Sequence, residues 1–159
     1  RTVLKPDDTR TKSSSSSIDE LRFLEGIEDP EYRDTLQRLL SGIHGLNLRV
    51  EWGSVGCSIR VPTSHRTEPI TVAWLYPPGR QGWSGLTDLT LGFDPWTADR
   101  VPDAKPMLEW YVERVAELQG VVRTRIKSLS TYRLASDTVI DLQAELIDLF
   151  ALTMSRAEL

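Results

Sequence analysis

Few residues of this chain could do chemistry. Its single cysteine, Cys57, could serve as a nucleophile only with a base such as His65 and an orienting carboxylate such as Asp88. Cys57 alternates with Ile59 and Val61, however, which places it on the apolar side of a strand, where a thiol is a small buried hydrophobe. A metal centre is no better supplied. There are two histidines, His44 and His65, and no C-x-x-C or H-x₃-H spacing, so a zinc site would need scattered carboxylates. We expect no metal and no cofactor, and the sequence assigns no catalytic residue.

The segment PPGRQGWSG (77–85) holds three glycines but lacks the Lys-Ser/Thr ending of a phosphate-binding loop, and a strand rather than a helix follows it. What remains are surface groups. Arg80 and Trp83 sit on this loop, Arg66 sits in the linking segment TSHRTE (63–68), and Arg60 shares the polar side of a strand pair with Arg49. Arginine and aromatic side chains are enriched where binding energy concentrates, so Arg60, Arg66, Arg80 and Trp83 are the expected binding residues. The competing reading has Trp83 folded back to close the hairpin core and Arg80 merely solvated.

The elements that must position these groups follow from periodicity. Ile70, Val72, Trp74 and Tyr76 alternate with Thr71, Ala73 and Leu75; both sets are largely apolar, which predicts a strand covered on both faces. Pro77-Pro78-Gly79 ends it, and Leu86 to Phe93 predicts its partner, so Pro69 to Pro95 reads as a hairpin with a long tip. Leu46 to Trp52 and Cys57 to Val61 alternate apolar with polar around the turn Gly53–Gly56, a second hairpin with one wet face.

Helices flank these strands. Ser17 and Glu20 make an S-x-x-E capping box before a short helix, and Asp29-Pro30 starts a second one carrying Tyr32, Leu36, Leu39, Leu40 and Ile43. A third is expected from about Pro106 to Gln119, and a last one from Ser136 to about Ser155. Val121–Lys127 reads as a charged edge strand or as continued helix. The expected fold is therefore α+β: a four-stranded antiparallel meander, with Val121–Lys127 as a fifth edge strand, packed against N-terminal and C-terminal helices. Residues 1–17, ending in five serines, read as a flexible linker, and 18–159 as a single domain. With Arg1 as its first residue, the chain reads as the C-terminal part of a larger protein.

Charge narrows the function classes. The net charge is −4, and residues 46–100 carry five basic and five acidic side chains, so the broad basic face of a phosphate-binding protein is not expected. Arginine outnumbers lysine 15 to 4, which suits bidentate recognition of carboxylate or phosphate, or simply reflects GC-rich coding. No apolar run reaches the roughly 20 residues of a membrane span. The reading is a cytoplasmic, non-catalytic recognition or regulatory module whose partner is a protein, a peptide or an upstream domain of the same chain, away from membranes. The alternatives are a hydrolase- or nuclease-type enzyme domain, and a nucleic-acid-binding module using Arg60, Arg80, Arg123, Arg125 and Lys127.

Overall fold

Helix formation begins where a carboxylate can occupy an N-cap. Asp19, rather than Ser17, caps α1 (Glu20–Glu25) by accepting from the Arg22 N–H at 2.8 Å. Asp29 does the same for α2 (Pro30–Gly45), where Pro30 fits the first turn because that position needs no N–H. The computed structural model describes residues 17–62, 69–124, 126 and 129–157, so the linker expected before residue 17 lies outside the described residues.

Six strands form one antiparallel sheet: β1 (Arg49–Trp52), β2 (Cys57–Val61), β3 (Ile70–Leu75), β4 (Leu89–Phe93), β5 (Val122–Arg123) and β6 (Ser130–Leu134). Their order is β1-β2-β3-β4-β6-β5. The first four strands make the expected meander. Two more extend it, because β6 pairs with β4 and carries the short edge strand β5. Between β4 and β5 lie α3 (Pro95–Arg100) and α4 (Lys105–Ala116); after β6 come α5 (Ser136–Asp141) and α6 (Gln143–Ala157). Asp94 caps α3 through the Trp96 N–H at 3.1 Å, in a stretch that the sequence presented as irregular. The last helix, expected as one piece from Ser136, breaks at Leu142 into α5 and α6.

The helices cover one face of the sheet. Leu36, Leu39, Leu40 and Ile43 of α2, Leu108 and Tyr111 of α4, and Leu146 and Phe150 of α6 are fully buried against Ile59, Leu75, Leu89 and Leu91. Each such side chain contributes about 1.5–3 kcal/mol through its burial.

One irregularity decides what the other face carries. Ile59 pairs with Ala73 but Arg60 pairs with Thr71, so Val72 is an extra residue, a β-bulge. Its carbonyl accepts from the Tyr111 hydroxyl at 2.7 Å. Simple alternation would put Ile70 and Trp74 on one side. The bulge instead leaves Ile70, Ala73 and Leu75 toward the helices and aligns Thr71 with Trp74 on the opposite face. There Glu51, Ser58, Trp74, Thr90, Arg133 and Val122 form one cross-strand row over all six strands.

Candidate functional site

The face away from the helices is partly covered by loops. Trp74, Tyr76, Leu86 and Leu129 make a second, smaller core there, with Val55 and Ile126 packed against it. The tip after β3 builds its roof. Trp83 to Gly85 form a single 3₁₀ turn, and Trp83 lies parallel to Trp74, with ring centroids 5.5 Å apart and 10° between planes. The Trp83 N–H donates to the Tyr76 hydroxyl oxygen at 3.1 Å. Gly82 is required at this point, since a Cβ there would collide with the Tyr76 ring. Burial pushes the Tyr76 phenol up, and the Trp83 N–H opposes that shift.

Trp83 thus does two things at once. It folds back onto Trp74, leaving that residue only 6% exposed, and still keeps 47% of its own surface in solvent. Beside it opens a recess of about 1020 Å³ lined by four of the five tryptophans: Trp52, Trp74, Trp83 and Trp96. Trp52 reaches it from the end of β1, where its ring also tilts against Phe23 at 5.4 Å. Trp96, on α3, is 63% exposed, and the Arg100 guanidinium stacks on it 4.4 Å from the ring centroid.

Polar groups lie among these rings. Arg60 lines the recess, its Nε donating to Ser58 Oγ at 3.0 Å and its Nη2 lying 3.7 Å from Glu51 Oε1. Arg60 and Arg100 are matched in number by Glu51 and Asp94, so the formal charges of these four balance. The recess therefore presents indole faces beside one guanidinium, that of Arg60, which its neighbours already orient.

Of the expected binding residues, Arg60 and Trp83 meet in this recess. Arg80 does not join them: it lines a separate recess with Arg22, Tyr32 and Pro77. Arg66 lies outside the described residues, as do His65, Arg125 and Lys127. Sequence reasoning missed Trp74, Trp96 and Tyr76 as site residues. Trp74 was hidden by the bulge, which reverses its facing, and Trp96 by its place in a seemingly irregular stretch.

The nucleophile reading finds little support. Cys57 is buried, and burial drives its thiol well above the ordinary range, so the thiolate is scarce at neutral pH. Asp88 is engaged with Arg133, at 3.4 Å. Among the described residues, no three His, Cys, Asp or Glu side chains come together as metal ligands would, and no helix is long and apolar enough to cross a membrane. No protein-family model, curated protein or solved structure matches the chain.

Proposed function

We propose that this domain is a non-catalytic recognition module of the cytoplasm, and that its partner is a protein or peptide segment, an upstream domain of the same chain included, laid across the aromatic recess. The observation that carries this reading is the Trp74–Trp83 stack, which presents a half-exposed indole on a buried aromatic base beside a recess of about 1020 Å³. Aromatic-lined grooves suit extended, proline-rich segments, whose rings stack on indoles and whose stiffness lowers the entropy cost of binding. The balanced charges of Arg60, Arg100, Glu51 and Asp94 suit such a neutral backbone. Nucleobases also stack on tryptophan, but their phosphates call for surplus positive charge, and this chain carries a net −4.

A displayed peptide library selected on the wild-type domain and counter-selected on Trp83→Ala tests the proposal. Peptides should emerge that bind the wild type at least about tenfold more tightly than the variant, a difference of about 1.4 kcal/mol. Failure to select any peptide dependent on Trp83, together with binding of an oligothymidylate, would replace the peptide reading with a nucleic-acid one.

A further inference from the structure

Just before α1 the chain is pinned to the rim of the tryptophan recess. The Ile18 N–H donates to the Gly53 carbonyl oxygen at 2.8 Å, and Gly53 lines that recess. Ser17, the first described residue, is exposed, so the preceding segment joins the fold at this rim. That segment differs in charge from the domain it leads into. Residues 1–17 carry four basic and two acidic side chains, whereas residues 18–159 carry fifteen basic and twenty-one acidic. A net positive segment is thus attached to a strongly negative domain, and attraction between them favours a bound arrangement over a free one. We propose that residues 3–8, Val-Leu-Lys-Pro-Asp-Asp, are the resident ligand of the tryptophan recess, and that a partner must displace them to bind. Such occupancy presupposes the peptide-binding role proposed above and gives that role its first occupant and a means of regulation.

The composition of the segment selects the residues. Val3, Leu4 and Pro6 are the only apolar side chains among residues 1–17, and they lie together. A proline ring stacks on an indole face, and two such faces are on offer: Trp83 keeps 47% of its surface exposed and Trp96 keeps 63%. Lys5 and the pair Asp7-Asp8 bring both signs of charge to a recess whose own charges are of both signs. The Glu51 side chain, 54% exposed, suits the ammonium, and the Arg60 guanidinium suits a carboxylate. Reach is ample. The nine residues from Thr9 to Ser17 span at most about 30–32 Å, and the recess begins at Gly53, beside the pinned Ile18. A ligand tethered at such short range acts at an effective concentration on the order of millimolar, so even a weak fit keeps the recess largely filled.

The test uses the whole chain, whose five indole N–H signals report the tryptophans by NMR, and a synthetic peptide of residues 1–12 as the probe. Leu4→Ser combined with Pro6→Gly should empty the recess and move the Trp83 and Trp96 signals, and the peptide added in trans should return them. The double variant should bind the peptide at least about tenfold more tightly than the wild-type chain does, because in the wild type the tethered copy competes. Trp96→Ala added to the double variant should weaken the peptide at least about fivefold; this exposed indole is chosen because its loss disturbs the fold little. The inference is overturned if the wild type and the double variant give the same indole spectrum, if they bind the peptide equally, or if Trp96→Ala leaves its affinity unchanged. Library-selected, Trp83-dependent peptides that bind both chains alike would sink self-occupancy and leave the peptide-binding role standing. Absence of any Trp83-dependent peptide, from the library or from the chain itself, would remove both.

Discussion

On the helix side of the sheet, Ile59, Ala73, Leu75, Leu89 and Leu91 meet three long helices and are fully buried. On the other side, Trp74 and Tyr76 meet a loop tip, Leu86 and Leu129, and the covering stops partway, leaving a recess. Branched aliphatic side chains interdigitate into a dry layer and contribute chiefly stability. Indoles cover area with few rotatable bonds, so a small number of them can seal one end of a surface and still offer ring faces at the other. The same strand, β3, serves both purposes because its two faces hold different chemistry. The helix-side face should be costly to alter, and the loop-side face cheaper to alter but decisive for binding.

The largest test of that contrast is Phe150→Ala on α6, a fully buried side chain. Truncation should cost about 3–5 kcal/mol, measured by urea unfolding. A cost below about 1 kcal/mol would mean that the helix layer is not the principal core. On the loop side, Gly82→Ala forces a methyl into the Tyr76 ring and should cost about 1–3 kcal/mol while displacing Trp83. Quenching by acrylamide would report the freed indole; an unchanged unfolding midpoint and unchanged quenching would show that the tip does not depend on this fit.

A pH series sharpens the comparison further. Cys57 lies in the helix-side layer with its thiol raised by burial, whereas in the unfolded chain it ionises near 8.5. Below that value both states hold the proton. Above it only the unfolded state releases the proton, so stability should fall by about 1.4 kcal/mol for each further pH unit until the folded thiol itself titrates. Tyr32 and Tyr111, also raised by burial, should add to the decline above about pH 10. Cys57→Ala should remove the component that begins near pH 8.5; persistence of that component in the variant would assign it to another group. The smallest effect is expected for Trp96→Ala. This indole is mostly exposed and stacked with Arg100, so the change should cost no more than about 1 kcal/mol and yet weaken any ligand of the tryptophan recess.

Much of the fold could be read from spacing. The apolar stripe of α2 and the alternation of β1, β2 and β4 each express a single period, and a single period is what sequence patterning detects. The wet side of β1 and β2 also came through, with Arg49 opposite Arg60. β6 was missed because Ser130 to Leu134, STYRL, is short, with Ser130 beside Tyr132 and Leu134 on one side and only Thr131 and Arg133 on the other, a weak pattern that its pairing with β4 explains. The capping box at Ser17 was outcompeted by Asp19, whose carboxylate lies closer to the helix start. The site was half visible. Arg60 and Trp83 stood out by type, but Trp74 and Trp96 join them only through tertiary packing, and Arg80 is drawn to the other end of the tip by the Pro77–Gly79 corner.

The extra residue in β3 bears on how kinship with other chains would be recognised. Without Val72, the run Ile70-Thr71-Ala73-Trp74-Leu75-Tyr76 alternates regularly between the two faces, and Tyr111 loses the carbonyl that its hydroxyl holds. A relative that never acquired the bulge would keep the same two faces and lack one letter. Aligned with this chain, it would show a single-residue gap inside a buried strand, where insertions are least expected. Such a gap, accompanied by another residue at the Tyr111 position, is the difference that loss of this bulge would produce, and it would not argue against a shared fold.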